Sequence, residues 1–596
     1  MVSSNSASKA HESEPVEFEF DVVVIGSGAA GMTAALTAAY RGLSVTLIEK
    51  SRLFGGSTAR SGGGIWVPNN PVLQAAGVPD SAEMARTYLK AVVGNRVPEA
   101  KQRAFLDNGP EMFNYLGARS RYWDFVYDRG YSDYHPEYPG GLSQGRSIEP
   151  KPIDGRLLGA DLHKINKPTM SAPAGIAITV SDFHDLNMIA RTWAGKKAAV
   201  RVGAKTALNM LKGALPLSLG KALAARLWLS LRDAGVPVWL STPLTEIMVE
   251  GGAVVGVRAE HEGRPVVIKA RRGVVLAAGG FEHNLEMRKQ YIAGPQSTEW
   301  TVGATENVGE GIVAGQKVGG AVDLMDDAWW GPSVRNPEGP PFFCLAERSQ
   351  PGAIIVNSNG ERFVNESAPY VNVVHKMYED EAAGTGTIPA HFIFDQNFRD
   401  RYLFLGNFPK RPLPQKYYDS GIIKSADTLA ELAAKIGVPA DRLAASVQRF
   451  NGMARNGRDE DFGRGDSAYD RYYGDPTVKP NPTLAPLERG PFYAVEMVPG
   501  DLGTKGGLVT DEHARVLDHE GRVITGLYAA GNNSAAVMGN DYAGAGATIG
   551  PAMVFGYIAA NHLADLEPGQ KSESKPAPAK RPARRAHANS AANQEK

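Results

Sequence analysis

The sequence predicts an α/β protein in which a parallel-sheet domain is interrupted by a smaller α+β domain. The first observation is a strand–loop–helix–strand pattern, with a β-branched run at Phe20–Ile25, an Ala- and Thr-rich helix at Ala29–Tyr40 and a strand at Ser44–Ile48. Such a βαβ unit joins parallel strands. The second is a series of strand-like segments between residues 236 and 278. The third is the region 332–503, which mixes short strands and helices without repeating the first pattern.

Composition sets the expected boundaries. Residues 1–17 are small and polar, and residues 567–596 form a basic tail rich in Ala, Pro and Ser, so both ends are predicted to be disordered. The parallel-sheet domain then takes residues 18–331 and 504–566, and residues 332–503 form the inserted domain. The chain of 596 residues is long enough for about two to four domains.

Charge and composition exclude several classes of protein. Lys+Arg and Asp+Glu each total 64, so no excess of positive charge indicates a nucleic-acid partner. The single cysteine, Cys344, cannot form an internal disulfide, which favours a reducing compartment. The first residues lack the apolar run of a signal peptide, and no uncharged apolar stretch reaches the roughly 18 residues of a membrane helix. We expect a cytoplasmic protein.

The loop after the first strand reads Gly26-Ser27-Gly28-Ala29-Ala30-Gly31 and opens a helix. The first glycine permits a tight turn, the second lets the backbone approach a pyrophosphate, and the third allows the helix to pack closely on the strand. The N–H groups at the helix start favour phosphates. Glu49, followed by Lys50, ends the second strand about 20 residues further on, where a carboxylate can accept from a ribose hydroxyl. Together these features predict a dinucleotide site.

Two further loops favour FAD over NAD. A glycine/serine loop follows the acidic residue and can run its backbone along a flavin; it contains Gly55, Gly56, Ser57, Ser61, Gly62 and Gly63. Far downstream, Gly531-Asn532 precedes a second glycine-rich loop that ends at Thr548-Ile549 and an apolar helix. The start of that helix suits the electron-rich pyrimidine edge of a reduced flavin. No second nucleotide motif is visible, so we expect a quinone or another carrier, and not NAD(P)H, as the electron acceptor.

These segments resemble the flavoprotein family of fumarate reductase and succinate dehydrogenase. The strand end Ala278-Gly279-Gly280 matches that family's return from strand to loop, and the resemblance extends from about Phe20 to Leu566. It implies a Rossmann-like FAD-binding domain with an inserted, smaller α+β catalytic domain that caps it.

Basic residues are absent where the dicarboxylate members of that family need them. Clamping a dianion takes several Arg and His side chains. The segment Val537–Thr548 contains neither, so we expect a neutral substrate. The loop Gly55–Gly64 also lacks the histidine to which some relatives attach FAD covalently, so we expect non-covalent FAD.

Segments that contain tyrosines, and not these Arg and His residues, resemble the 3-ketosteroid 1-dehydrogenases. The segments are Gly130–Pro136 with Gly145–Ile148, Arg362–Tyr370, and Asn540–Gly546, supported by Phe492–Ala494 and Asp501–Gly507. The resemblance implies that Tyr370 is the catalytic base assisted by Tyr134, while Tyr542 and the Gly546 amide bind the ketone oxygen.

The chemistry of ketone desaturation fits these roles. A phenol O–H and a backbone N–H stabilise the developing enolate, a tyrosinate removes the proton alpha to the ketone, and the flavin accepts a hydride from the next carbon. We expect the Tyr134 hydroxyl to lower the pKa of Tyr370 from about 10. Among other candidates, Tyr493 is interpreted as a core or pocket-wall residue and Cys344 as a buried apolar side chain. His135 and His184 lack a partner at ligand spacing, so no metal site is predicted.

A basic segment at residues 186–232 has nine Lys or Arg and no Asp or Glu. Leucines recur in it at helical spacing, at positions 208, 211, 215, 219, 223 and 227, with a break at Pro216. Two interpretations are open. The leucine stripe packs on the FAD domain as a surface helix pair, or the segment contacts an anionic bilayer, at the inner membrane, where an apolar sterol would be dissolved.

The leading hypothesis is FAD-dependent desaturation of 3-ketosteroids between carbons 1 and 2, in steroid degradation. Desaturation between carbons 4 and 5 is an alternative, because it needs only a base on the other side of the ketone. A fumarate-type reductase and a membrane-associated flavin-binding sensor are more distant alternatives. The missing Arg and His argue against the former, and the three phenols near an oxyanion helix argue against the latter.

Overall fold

The computed structural model describes residues 15–168 and 176–567. The ends that we predicted to be disordered lie outside this part of the chain, except for residues 15–17 and Glu567. Val16 and Glu17 belong to the first strand, so the ordered chain begins earlier than we expected. Among the described residues, no helix is both long and apolar enough to span a bilayer.

The strands and helices are numbered in chain order. The strands are β1 (Val16–Ile25), β2 (Val45–Ile48), β3 (Ile65–Trp66), β4 (Phe125–Tyr127), β5 (Ser147–Pro150), β6 (Ile153–Asp154), β7 (Pro216–Leu217), β8 (Val238–Trp239), β9 (Leu244–Glu250), β10 (Ala253–His261), β11 (Arg264–Leu276), β12 (Val322–Asp323), β13 (Ala328–Val334), β14 (Phe342–Phe343), β15 (Ala353–Val356), β16 (Ala390–Asp395), β17 (Ile423–Ala426), β18 (Phe492–Thr504), β19 (Gly507–Leu508), β20 (Arg515–Leu517) and β21 (Val523–Ala529). The α-helices are α1 (Ala29–Tyr40), α2 (Gly56–Arg60), α3 (Pro71–Ala75), α4 (Ala82–Val93), α5 (Glu99–Gly117), α6 (Val180–Asn187), α7 (Trp193–Leu211), α8 (Leu219–Asp233), α9 (Leu285–Tyr291), α10 (Glu310–Lys317), α11 (Tyr370–Ala382), α12 (Gln396–Arg401), α13 (Gln415–Asp419), α14 (Leu429–Ile436), α15 (Ala440–Asn456), α16 (Ala468–Tyr472) and α17 (Ile549–Asp565).

The main sheet has β1 in its middle. Its strand order is β20-β21-β11-β1-β2-β8, and β1 pairs in parallel with both β2 and β11. The antiparallel strands β9 and β10 attach through β11. The α/β class and the parallel βαβ unit are therefore confirmed. The predicted strand segments between residues 265 and 278 are one strand, β11, and not two.

Four helices form a group that contacts the main sheet through α1 and α17. α1 packs against α8 and α17, and α17 packs in turn on α5. α8, the second half of the basic segment, is buried from Ala222 to Leu231, and its Trp228 ring stacks on Phe54 at 3.9 Å. This half of the basic segment is therefore part of the core.

The first half of the basic segment, α7, lies at the surface. Trp193 and Leu211 are 77% and 86% exposed, whereas Val202 on the opposite side of the helix is buried. The leucine stripe therefore divides: the leucines at 223 and 227 pack in the core, while those at 208, 211 and 215 are exposed.

A second sheet lies over the main domain. Its order is β14-β13-β18-β16-β15, with β17 paired to β18. It begins at Ala328 and ends at Thr504. That residues 332–503 act as a separate catalytic domain stays a prediction.

A small antiparallel sheet, β3-β5-β4, is hydrogen-bonded to the loop before α17. The amide of Trp66 in β3 donates to the carbonyl of Gly546 at 3.1 Å, and the Ser147 hydroxyl of β5 donates to the carbonyl of Ala545 at 2.7 Å. This sheet therefore fixes the loop that carries the predicted oxyanion amide.

Candidate active site

A cavity of about 1130 Å³ runs between the main sheet, the small sheet and the second sheet. The carboxyl ends of β1, β2, β11 and β21 all open into it, because parallel strands end at one edge of their sheet. Most of the residues that we predicted to bind FAD line it: Gly26, Ser27, Gly28, Ala29, Ala30, Glu49, Lys50, Gly56, Ser57, Ser61, Gly62, Gly63, Ala278, Gly279, Gly531, Asn532, Thr548 and Ile549.

Three predicted cofactor residues do not line the cavity: Gly31, Gly55 and Gly280. A Cβ on Gly31 would lie 1.9 Å from the Gly26 carbonyl oxygen, so this glycine permits the close contact between helix and strand. A Cβ on Gly55 would meet the Ala59 side chain at 2.8 Å, and one on Gly280 the Thr504 hydroxyl at 2.1 Å. We assign these positions to backbone packing behind the site.

The backbone at this end of the cavity fits a dinucleotide. α1 starts after Gly28 without a side-chain cap, and a Cβ on Gly28 would meet nothing closer than the Thr58 hydroxyl at 3.8 Å. Gly26 has φ of +104°, and its Cβ would lie 2.4 Å from the Ala277 oxygen, so the turn requires glycine. α17 also starts at the cavity without a side-chain cap. Two uncapped helix starts at one cavity suit the phosphates and the pyrimidine edge of FAD.

Glu49 supports the nucleotide loop as well as lining the cavity. Its Oε2 accepts from the Ser27 amide and hydroxyl at 2.9 and 2.7 Å, and its Oε1 accepts from the Ser51 amide at 2.9 Å. Burial raises the pKa of this carboxyl above its ordinary value, and these donors oppose that rise.

The sequence interpretation missed one lining segment, residues 302–311. Ala304 and Asn307 donate to the Ser57 hydroxyl at 2.9 and 3.0 Å, and Glu310 forms an ion pair with Lys50. The only local signal was the pair of glycines at 309 and 311, which precede and open α10.

Three tyrosines that are far apart in the sequence meet beyond the nucleotide end. The Tyr134 hydroxyl donates to the Tyr370 hydroxyl at 2.8 Å. The Tyr134 ring stacks on Tyr542 at 5.1 Å, and the Tyr370 ring meets Tyr542 edge-on at 5.5 Å. All three are buried and line the cavity. The structure thus brings together the three phenols that the sequence analysis selected.

Backbone contacts position two of these tyrosines. The Tyr134 amide donates to the Ala543 carbonyl at 3.1 Å, so the two tyrosine-bearing loops are joined directly. The Tyr542 amide donates to Asp541 Oδ1 at 2.7 Å, and the same oxygen lies 2.9 Å from His135 Nε2. His135 therefore has a carboxylate partner that supports the Tyr542 loop.

A buried ionic network precedes Tyr370, the first residue of α11. Arg362 forms two hydrogen bonds with Glu366, each of 2.8 Å, and also pairs with Asp459. Arg464 reaches the same Glu366 at 3.2 Å. All four side chains are at most 4% exposed, so the loop that leads to Tyr370 is held rigidly.

Gly546 lies where only glycine fits. Its φ is +89°, and a Cβ would lie 2.3 Å from the Gly64 carbonyl carbon. Next to it, the Tyr542 hydroxyl lies 2.6 Å from the Thr548 hydroxyl. A phenol and a glycine backbone therefore lie together at the start of α17.

The pKa of Tyr370 corrects one expectation. Burial raises this pKa well above 10, Tyr542 adds to the rise, and the hydrogen bond with Tyr134 lowers it by less. Our expectation of a lowered pKa was wrong, because removing the phenolate from water costs more than one hydrogen bond restores. Burial raises the pKa of Tyr134 and Tyr542 as well.

Two remaining predictions concern side chains outside the tyrosine cluster. Tyr493 does not line the cavity; its hydroxyl donates to Gln396 at 2.7 Å and its ring stacks on Phe394. Cys344 is fully buried, as expected, and burial raises the pKa of its thiol.

Comparisons with known proteins identify an FAD-binding family and relatives that are dehydrogenases. The family described as "FAD binding domain" matches residues 21–549. The chain is 53% identical to a 3-oxosteroid 1-dehydrogenase of Mycobacterium tuberculosis (strain ATCC 25618 / H37Rv), over 92% of this chain and 98% of that protein. It is 37% identical to a 4-oxocyclohexanecarboxylate 2-dehydrogenase of Sinomonas cyclohexanicum, over 92% and 94%.

The chain is also similar to a solved structure, that of the 3-ketosteroid delta1-dehydrogenase from Sterolibacterium denitrificans in complex with 1,4-androstadiene-3,17-dione. The TM-score is 0.86 at 40% identity, with 92% of this chain and 99% of that chain covered.

Proposed function

Because the chain belongs to the FAD binding domain family, and its close relatives are 3-oxosteroid 1-dehydrogenases, we propose that it is an FAD-dependent dehydrogenase that introduces a double bond between carbons 1 and 2 of 3-ketosteroids. The observation that carries the proposal is the meeting of Tyr134, Tyr370 and Tyr542 at the cavity that the FAD residues line. The predicted catalytic domain, residues 332–503, supplies Tyr370, and the FAD-binding domain supplies the other two.

The ketone oxygen binds between the Tyr542 hydroxyl and the Gly546 amide. Negative charge develops on this oxygen as the neighbouring carbon loses its proton, so two fixed donors stabilise the transition state more than the ground state. The hydrogen bond with Thr548 orients the Tyr542 hydroxyl before the substrate arrives.

Tyr370 takes the proton from carbon 2. When bound, FAD supplies the oxidising power by accepting a hydride from carbon 1. Tyr134 fixes the Tyr370 oxygen by its 2.8 Å hydrogen bond. Because burial keeps Tyr370 protonated, its own proton must leave as the substrate proton arrives.

The rest of the cavity suits an apolar and neutral substrate. Of the described side chains that line it, the only Lys or Arg are Lys50 and Arg60, which belong to the two nucleotide loops, and none is His. Apolar side chains dominate elsewhere, among them Phe342, Phe343, Leu345, Ile178, Phe183 and Met210. This lining supports a steroid over a dicarboxylate.

Product analysis separates the possible reactions. The purified protein is incubated with 5α-androstane-3,17-dione and an artificial electron acceptor, because this substrate carries hydrogens both at carbons 1 and 2 and at carbons 4 and 5. We expect the 1-ene product by mass spectrometry and NMR. The 4-ene product would establish the alternative desaturation, and fumarate reduction without steroid turnover would favour a reductase.

A quinone or another carrier is the electron acceptor that we propose. The sequence contains no second dinucleotide motif that would bind NAD(P)H beside the flavin. We also propose that FAD is held without a covalent bond, since no histidine lies in the loop Gly55–Gly64.

Peripheral contact with an anionic membrane is a further proposal, carried by α7. One side of this helix, with Val202 and Thr206, lines the substrate cavity. Its outer side exposes Trp193, Val200 and Leu211. Cations accompany these apolar side chains, at Lys196, Lys197, Arg201, Lys205 and Lys212. An amphipathic basic helix beside the cavity would bring the entrance close to the bilayer in which a steroid dissolves.

A further inference from the structure

A pair of buried carboxyl groups lies outside the tyrosine site, on the wall of the same cavity. Asp128 directly follows β4 and Glu149 belongs to β5, the neighbouring antiparallel strand. The Asp128 amide donates to the Ser147 carbonyl at 3.0 Å, which fixes the register of the two acids. Each residue is 1% exposed, and Asp128 lines the cavity.

Three of the four carboxyl oxygens of this pair, Glu149 Oε2 and both oxygens of Asp128, have no partner outside the pair among the described residues. Glu149 Oε1 accepts from the Val180 amide at 2.8 Å, and the two acids are hydrogen-bonded to each other. Buried carboxylates are costly to leave unpaired. Burial raises the pKa of both groups, and the neighbouring Asp128 raises that of Glu149 further, so the two carboxyls titrate as a pair.

Three more phenols link this pair to the active site. The Tyr131 amide donates to the Asp128 carbonyl at 3.1 Å, and the Tyr131 ring lies 6.3 Å from that of Tyr134. Tyr131 stacks on Tyr472 at 4.6 Å and meets Tyr473 edge-on at 5.7 Å. The hydroxyls of Tyr472 and Tyr473 are buried; that of Tyr473 interacts with Tyr131, whereas that of Tyr472 has no partner among the described residues.

These unpartnered atoms form one polar pouch. Among the described residues, the two Asp128 oxygens, Glu149 Oε2 and the Tyr472 hydroxyl lie beside Tyr131 or its neighbours and have no partner outside the acid pair. Proteins fill such polar spaces with ordered water that makes about three hydrogen bonds. Water in the pouch would join Tyr131 to Asp128 as a continuous hydrogen-bonded chain.

We propose that the Asp128–Glu149 pair is the proton acceptor of a relay that runs from Tyr370 through Tyr134, Tyr131 and water in this pouch. The inference rests on the proposed function and adds to it the fate of the substrate proton. Asp128 is a relay residue in this account, because it receives the proton through other groups and not from the steroid itself.

The proton and electron balance is complete. The carbon 2 proton bonds to the Tyr370 oxygen, while the Tyr370 proton passes to Tyr134, the Tyr134 proton to Tyr131, and the Tyr131 proton through water to the Asp128 carboxylate. Hydroxyl hydrogens rotate, so the Tyr134 proton that faces Tyr370 at rest can turn toward Tyr131. The carbon 2 electron pair forms the new double bond as the hydride leaves carbon 1 for the flavin.

This relay resolves the difficulty posed by a buried base. Because Tyr370 gains and loses a proton together, no free phenolate has to form in a site that disfavours it. The titratable groups that interact with Asp128 are Glu149 on β5, Tyr127 on β4, Tyr131 on the following loop and Tyr472 on α16. Asp182 and Asp185 on α6 act on Glu149 and Tyr472 in turn.

The test compares Asp128→Asn with the control Asp124→Asn. Asp124 precedes the same strand but is 49% exposed and pairs with Lys151. Anaerobic flavin reduction by a 3-ketosteroid is followed by stopped flow from pH 6 to pH 10. We expect Asp128→Asn to lose roughly 10²-fold or more in rate at pH 7, the usual contribution of an acid–base group, and to recover at high pH where hydroxide accepts the proton. Steroid affinity, measured by the flavin spectral shift, should be unchanged.

A second readout is infrared difference spectroscopy of the reducing enzyme. The wild type and Asp124→Asn should gain a protonated-carboxyl band on reduction, and Asp128→Asn should not. If Asp128→Asn fails to fold, Glu149→Leu serves instead: it removes the hydrogen bond by which Glu149 lowers the pKa of Asp128, and should shift the pH profile to higher pH. Wild-type rates, profiles and infrared bands in these variants would overturn the relay. Absence of 1-ene product from the wild type would instead overturn the proposed function.

Discussion

At the residue scale, the three phenols differ in what each can do. Tyr370 and Tyr134 share a hydrogen bond, whereas the Tyr542 hydroxyl is paired with Thr548 beside Gly546. Their hydroxyl groups therefore separate into a proton-transfer pair and an oxyanion donor. None of the three ionises readily, since burial raises the pKa of each.

Removing the oxyanion donor should affect turnover more than binding. Tyr542→Phe keeps the ring that stacks on Tyr134 but loses the hydroxyl. We expect turnover to fall by about two to three decades, because this bond strengthens as the enolate forms. Ketone binding should weaken by about 1 kcal/mol, the value of a neutral hydrogen bond. Steady-state kinetics and steroid titration measure the two effects, and equal losses in both would argue against an oxyanion role.

The sequence could select the tyrosines but not their contacts. Tyr134 and Tyr370 are 236 positions apart, so only the resemblance of their surrounding segments indicated that they meet. The direction in which the pKa of Tyr370 shifts could not be predicted either, because it depends on burial from both sheets. Asp128 and Glu149 carried no signal, since acids on two short strands are ordinary surface residues in most sequences.

At the element scale, local sequence patterns predicted where helices form better than they predicted what those helices pack against. α1 has the bounds Ala29–Tyr40 that its composition indicated, because a glycine loop and Gly42 delimit it on both sides. The leucines of α7 and α8 share one spacing, yet α8 is buried and α7 is exposed. Helical periodicity shows that a helix has an apolar face but not what covers that face.

The cations of α7 should contribute to membrane binding. A variant with Lys196, Lys197 and Lys205 changed to Gln loses about 1 kcal/mol for each charge near an anionic bilayer, or roughly 100-fold in vesicle partitioning. The control changes Lys90, Lys289 and Lys317, which are also exposed but lie on other helices. Sedimentation with phosphatidylserine vesicles measures the difference. Equal sedimentation of both variants and the wild type would rule out attachment through α7.

The docking of α17 should weaken in acid. Burial lowers the pKa of His562 from 6.5 to about 4, and nearby His513 and Arg515 lower it further; its Nδ1 lies 2.8 Å from the Tyr528 hydroxyl. Between these values the unfolded chain binds a proton that the folded chain does not, so stability decreases as pH falls. Urea unfolding should show a smaller decrease between pH 6.5 and 4 for His562→Gln. An identical pH dependence in the variant would exclude this contribution.

At the scale of the whole molecule, the site is formed where the main sheet, the small sheet and the second sheet meet. The main sheet supplies the FAD loops, the small sheet fixes the Gly546 loop, and the second sheet, through the loops around it, supplies Tyr370. The α/β class and the FAD domain could be predicted because the βαβ pattern is local. The segment 302–311 could not, because its place beside Ser57 depends on how the chain returns to the cavity.

The purified holoprotein should be yellow and release all of its FAD on acid precipitation. The reason is that the loop Gly55–Gly64 contains no histidine that could form the covalent link. Absorbance of the supernatant measures the release. Flavin that stays in the pellet would show a covalent attachment, and a colourless protein that does not bind added FAD would contradict the cofactor.

The central claim is that Tyr370 removes the proton next to the ketone, and hydrogen exchange at carbon 2 tests it most directly. The FAD-loaded enzyme and Tyr370→Phe are incubated with a 3-ketosteroid in deuterated water without an electron acceptor, and deuterium at carbon 2 is measured by mass spectrometry. We predict exchange with the wild type and its loss with Tyr370→Phe, together with a fall in turnover of about two to four decades and unchanged steroid binding. Exchange and turnover at the wild-type rate in Tyr370→Phe would place the base elsewhere and contradict the account.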